Sequence, residues 1–93
     1  MEFQFEPGRL WHETNGRVDA EVLFPNIEDD RVWAITHTFV DPSLRGQGIA
    51  GQLIESVVQH ARQEGVLLKP VCSYARKKFF MTPEYQEIQY KVD

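Results

Sequence analysis

Ninety-three residues make one small domain, and 42% apolar with 26% charged residues is ordinary globular make-up rather than that of a disordered, collagen-like or low-complexity chain. A formal charge of −4 argues against a nucleic-acid binder working through bulk charge, because neutralising phosphates takes a basic surface. The lone cysteine, Cys72, has no partner for an internal disulfide and is too few for a two-cysteine zinc site, so no metal is expected.

The chain opens Met1-Glu2-Phe3-Gln4-Phe5-Glu6, without a basic leader. No apolar run approaches the roughly 20 residues that span a bilayer. The expectation is a cytoplasmic setting with Cys72 reduced and no membrane partner. Pro7-Gly8 signals a turn, and Arg9 to Glu13 can be a strand. Asn15-Gly16 is the strongest two-residue hairpin signal, since both central positions of a type I′ turn need positive φ. Arg17 to Phe24 then alternates, with Val18, Ala20, Val22 and Phe24 on one side and Arg17, Asp19 and Glu21 on the other. Pro25-Asn26 and Glu28-Asp29-Asp30 make the next turn.

Arg31 to Val40 is rich in β-branched and aromatic residues and reads as a central strand. Strict alternation gives Trp33, Ile35, His37 and Phe39 one face. Asp41-Pro42 stops it. The clearest helix spans Gly48 to Glu64: Ile49, Ala50, Leu53, Ile54, Val57, Val58 and Ala61 form one stripe, and Gly65 sits where a C′ residue belongs. Val66 to Cys72 reads as a strand, so strand, helix and strand suggest a right-handed parallel crossover. Ser73 can cap a second helix from Tyr74 to about Met81, ended by Thr82-Pro83. The fold class is α/β (α+β): antiparallel strands first, then a central strand, a crossover helix, a parallel strand and a short second helix.

Charge is unevenly spread. Residues 1–41 carry nine acids against three bases, whereas residues 42–93 carry seven bases against five acids. Either both halves are simply solvated, or the second half holds an anion and the first attracts a cation. The sequence Arg45-Gly46-Gln47-Gly48-Ile49-Ala50 opens the long helix. Such a turn leaves backbone N–H groups unpaired at the positive end of the helix dipole, and Gly46 and Gly48 carry no side chains to block an approaching anion. The alternative is a tight loop into a well-packed helix. No Lys-Ser or Lys-Thr follows, so it is not a P-loop, and the three-glycine dinucleotide spacing fails.

The pattern Arg45-x-x-Gly48-x-Ala50 after an apolar strand resembles the acyl-coenzyme A signature of the GNAT N-acetyltransferase superfamily. Together with His37-Thr38-x-Val40, Pro70-Val71-Cys72-Ser73-Tyr74 and Pro83-Glu84-Tyr85, it is similar to the short, single-domain GNAT-like acetyltransferases over residues 9–88. The resemblance implies a minimal GNAT fold in which two neighbouring parallel strands, Ile35 to Val40 and Leu67 to Cys72, splay apart around the pantetheine arm. It implies acetyl-CoA as cosubstrate and a primary amine as acceptor; a monomer or a weak homodimer is the expectation for the chain. Its implied cofactor contacts are Thr38, Phe39 and Val40 for the arm and Arg45, Gly46, Gln47, Gly48, Ile49 and Ala50 for the pyrophosphate. Ser73, Tyr74 and Lys77, within the basic run Arg76-Lys77-Lys78, would flank the cofactor. Without the helical region that covers the substrate in larger members, the acceptor side should be open.

The tyrosine that members use as general acid would fall at Phe79 or Phe80, and neither carries a hydroxyl. Cys72 is the alternative catalytic group. A thiol beside a helix N-terminus is favoured as thiolate, and could take the acetyl group or protonate the departing sulfur; otherwise it is a small buried hydrophobe. His37 is the second candidate, as a base for an incoming ammonium or as a half-core histidine. Glu13, Asp19 and Glu21 could attract a cationic acceptor or form the solvated side of a hairpin. The rival function is a coenzyme A binding or sensing module without turnover.

Overall fold

The computed structural model describes residues 1–29 and 31–91; Asp30, part of the expected acidic turn, lies outside the described residues. Among the described residues, seven strands and two α-helices follow one another: β1 (Gln4–Glu6), β2 (Arg9–Thr14), β3 (Arg17–Leu23), β4 (Asn26–Ile27), β5 (Val32–Ile35), β6 (His37–Val40), α1 (Ile49–Glu64), β7 (Leu67–Pro70) and α2 (Ser73–Met81). Short 3₁₀ helices span Pro42–Leu44 and Pro83–Glu87. The Asn15-Gly16 turn joins β2 to β3 with both residues at positive φ, as the dipeptide predicts. Strands β1, β2, β3 and β6 form one antiparallel sheet, and β4, β5 and β7 a second.

The core lies between the sheets and α1. Leu10, Ala20, Val22 and Phe24 from the strands meet Leu53, Ile54, Val57, Val58 and Ala61 from the helix stripe, all almost fully buried. Burying such side chains stabilises by roughly 1.5–3 kcal/mol each before entropy is charged. Helix α2 adds Ala75 and Phe79, and the Phe79 ring packs tilted against Tyr85 with centroids 5.0 Å apart. The Tyr85 hydroxyl donates to Glu55, which ties the 3₁₀ segment back onto α1.

The expected central strand is two strands. β5 runs parallel to β7, in the register Val32↔Leu67 to Ile35↔Pro70, which is the expected crossover. β6 instead pairs antiparallel with β3, in the register Leu23↔His37 to Ala20↔Val40. Between them Thr36 falls outside both ladders, its N–H donating to Leu23 O at 3.0 Å. This irregularity reverses the alternation. Trp33 and Ile35 point into the core, yet His37 does not share their face: its cross-strand partner is Leu23, while Thr38 opposes the buried Val22. A second irregularity, between His12 and Glu13 opposite Asp19, corrects another reading: Asp19 is 8% exposed rather than solvated.

Candidate active site

After Ile35 and Pro70 the two strands part. Ile35 O accepts from both Val71 N and Cys72 N at 3.0 Å, closing the apex of the gap. β6 then follows β3 while the chain after β7 turns into α2. The Asp41 N–H donates to Asp19 O, which makes the odd-numbered residues of β6 the hydrogen-bonded partners of β3. The peptide groups of Thr38 and Val40 therefore face the gap, and those of Phe39 face β3. Of the expected arm contacts, Thr38 and Val40 turn their peptide groups to the gap and Phe39 turns its own to β3.

Cys72 stands across the gap from Thr38, with Sγ 3.4 Å from Thr38 Oγ1. It is also the N-cap of α2, receiving the Ala75 N–H at Sγ, also at 3.4 Å, so Cys72 and not Ser73 caps the helix. Ser73 is the exposed first residue of α2. The thiol is half-buried.

The N-terminus of α1 closes one end of the gap. Gly48 is its N-cap at φ 75°, and Gly46 lies at φ 84°. A Cβ on either would meet nothing within 4 Å, so the space over the loop is open, and the conformation itself demands glycine. The first intrahelical bond is Gln52 N–H to Gly48 O, which leaves the amides of Ile49, Ala50 and Gly51 unpaired within the helix. No acid lies in this first turn to offset the dipole. A hollow of about 140 Å³ here is lined by Val40, Leu44, Arg45, Gly46, Gly48, Ile49, Ala50, Gly51 and Tyr74. The structure thus gathers most of the expected cofactor residues, with Gln47 exposed beside them.

The basic run divides. A Cβ on Gly51 would lie 3.8 Å from Lys78 Nζ and 3.7 Å from Tyr74 Oη, so these two side chains reach the first turn of α1. Arg76 and Lys77 instead line a separate hollow with Pro70, Phe80, Gln86 and Gln89. Lys78 thus stands at the first turn of α1, where Lys77 was expected, and Lys77 faces the other hollow. Burial pushes the Tyr74 hydroxyl up from its ordinary range, keeping it a donor. Phe79 is in the core and Phe80 is 86% exposed, so neither faces the gap as the missing tyrosine would.

Asp41 holds the loop that leads to this cradle, a part that the sequence showed only as a strand stop. Its Oδ1 accepts from Ser43 N at 3.0 Å and Ser43 Oγ at 2.8 Å, and Oδ2 from Arg17 at 2.5 Å. The Ser43 hydrogen bonds hold its carboxyl below the usual range. Asp19 is likewise lowered, by Thr14 and then His12. His60, remote from the gap, stacks on Phe5.

Among the described residues no group of three or more His, Cys, Asp or Glu side chains could hold a metal ion, and no helix is long and apolar enough to cross a membrane. Comparison with solved structures finds the same fold in a GCN5-like protein from Staphylococcus aureus (TM-score 0.79, 24% identity, 99% of this chain and 90% of that one). A ribosomal-protein-alanine N-acetyltransferase from Brucella melitensis matches at TM-score 0.61 and 23% identity, over 91% of this chain and 64% of its own. A Clostridium acetobutylicum protein of the acetyltransferase class, solved with acetyl-CoA, matches at TM-score 0.59 and 19% identity, over 91% and 58%. The chain thus spans less than two thirds of the latter two. The model of the GCN5-related N-acetyl-transferase family matches residues 9–88, the stretch that holds the gap, the cradle and Cys72, and the chain belongs to that family.

Proposed function

We propose that the protein transfers an acetyl group from acetyl-CoA to a primary amine. The observation that carries this reading is the gap between β6 and Cys72, ending on the open N-terminus of α1. On this reading the peptide groups of Thr38 and Val40 hold the pantetheine arm. The amides of Gly48 to Gly51, with Arg45, Lys78 and the Tyr74 hydroxyl, hold the pyrophosphate. Acetyl-CoA supplies an activated thioester; the protein positions it and manages protons.

On this reading Cys72, across the gap from Thr38, stands beside the thioester. Its sulfur attacks the acetyl carbonyl, the bond from acetyl carbon to coenzyme A sulfur breaks, and the proton lost by Cys72 passes to the departing thiolate. The amine nitrogen then bonds to the acetyl carbon, the bond from that carbon to the Cys72 sulfur breaks, and a nitrogen proton returns to the Cys72 sulfur. The Thr38 hydroxyl orients the thiol in this scheme. Intact-mass measurement after incubation with acetyl-CoA tests it. The wild type gains about 42 Da, one acetyl group, and Cys72→Ala gains nothing. An unchanged adduct in Cys72→Ala, or no adduct in the wild type, contradicts the covalent route.

A second reading, a coenzyme A binding module without turnover, is favoured by the placement of Phe79 and Phe80 away from the gap. Calorimetric binding of acetyl-CoA with no acetylation of any amine in a panel would establish it in place of the first.

A further inference from the structure

The outer face of the four-stranded sheet carries a group of side chains that the cofactor site leaves unused. Cross-strand pairs Arg9↔Leu23, Trp11↔Glu21, Glu21↔Phe39 and Leu23↔His37 set these residues on one face. The opposite face, with Leu10, Ala20 and Val22, packs on α1. Glu21 sits at the centre of the outer face. Its Oε2 accepts from Arg9 Nε at 2.6 Å, and the Arg9 guanidinium is held in turn over the Trp11 ring at 4.1 Å.

Among the described residues the other oxygen takes no hydrogen bond. Glu21 Oε1 stands 3.9 Å from His37 Nε2, too far for a direct hydrogen bond. With His37 neutral and its proton on Nδ1, both atoms are acceptors, and one nitrogen about 2.8 Å from each would see them roughly 90° apart, close to the spread of two N–H bonds of an ammonium. The His37 side chain is 51% exposed, so the pair opens to solvent. The other charged groups on this side are Glu6, which faces Arg9 at 3.6 Å, and Glu13, which accepts from Trp11 Nε1 at 2.9 Å. Three carboxylates against one guanidinium favour a cation. Asp19 is engaged elsewhere, by His12 and Thr14. His37 directly precedes Thr38, whose hydroxyl touches Cys72, on the strand whose unpaired edge lines the gap.

We propose that Glu21 Oε1 and His37 Nε2 together receive the acceptor as a primary alkylammonium, Glu21 binding the cation and His37 taking its proton. This rests on the acetyl transfer proposed above. One N–H bond of the ammonium breaks and its proton moves to His37. The freed nitrogen forms a bond to the acetyl carbon, the carbon–sulfur bond breaks, and a second nitrogen proton passes to the leaving sulfur. The products are the amide, a thiol and protonated His37.

The test compares n-butylamine, a cation at pH 7.5, with methoxyamine, neutral there, as acceptors from acetyl-CoA, following coenzyme A release above the protein-free rate. Glu21→Gln is expected to lower kcat/KM for n-butylamine about tenfold, mostly through KM, while methoxyamine changes less than about twofold. His37→Gln is expected to lower kcat for n-butylamine and to remove the acid limb of its pH profile. Calorimetry with acetyl-CoA on each variant shows whether the cofactor site is intact. Wild-type n-butylamine kinetics in Glu21→Gln, or equal losses with both amines, overturn the proposal. No amine-dependent release from a wild type that binds acetyl-CoA overturns it too, and leaves the cofactor reading standing. A wild type that fails to bind acetyl-CoA contradicts both.

Discussion

Two consecutive stretches, β5 and β6, treat their backbones in opposite ways. All four residues of β5 are buried, and its ladder with β7 runs its full length. The residues of β6 are half-buried or exposed, and only one edge is paired. The backbone is paired on both sides at β5 and left open along one edge at β6, where the cofactor is proposed to lie. Ile35 is the junction: its side chain is fully buried and its carbonyl receives two N–H groups from the far side. An unpaired strand edge is a ready template for another extended chain, and a linear ligand bearing amides is suited to this one.

Breaking the closed half should cost the most stability. Ile35→Ala is expected to destabilise the fold by about 3 kcal/mol in denaturant melts, from lost burial plus the cavity left behind. Breaking the open half should instead cost binding. Gly48→Ala forces a Cβ onto positive φ at the N-cap of α1, at about 1 kcal/mol in stability, and re-aims the amides of the cradle. Acetyl-CoA affinity should fall about tenfold or more by calorimetry, whereas Ile35→Val should leave it within about twofold. Thr38→Val keeps the shape and removes the hydroxyl beside Cys72. It is expected to slow formation of the Cys72 acetyl adduct several-fold, with rescue by Thr38→Ser.

The smallest effect is on pH dependence. Asp19 and Asp41 are both lowered in the folded state, by Thr14 and His12 and by Ser43 respectively. A carboxylate so lowered contributes stability that is present above the unfolded value of about 4 and is lost as pH falls through the folded one. Thermal melts of Asp41→Asn should therefore lie below wild type at pH 7 and converge with it in acid. A constant offset at all pH values would show that Asp41 acts by shape alone.

Much of this was legible in the sequence because one period dominated. The α1 stripe, the Asn15-Gly16 hairpin and the parallel return of β7 follow from patterns of 3.6, two residues and strand–helix–strand order. The glycines and Arg45 located the cradle because a helix entry without side chains has a direct physical reading. What was hidden is register. One irregular residue at Thr36 moves His37 to the opposite face from Trp33, and the irregularity near Asp19 turns a solvated acid into a buried anchor. Alternation carries no sign of where it slips. The short strands β1 and β4 owe their existence to partners on either side, not to their own three and two residues. Lys77 and Lys78 are indistinguishable by composition, and only the rotation of α2 separates them.

The central claim is that the opened strand edge, not another hollow, receives acetyl-CoA. An amide-resolved NMR titration with acetyl-CoA tests it most directly. The account predicts that the largest shifts fall on Thr38, Val40, Gly46 to Gly51 and Cys72 to Tyr74, with β5 little changed. Shifts centred on the hollow around Arg76, Lys77 and Phe80, or on the one around Thr14, Arg17 and Asp19, would contradict it.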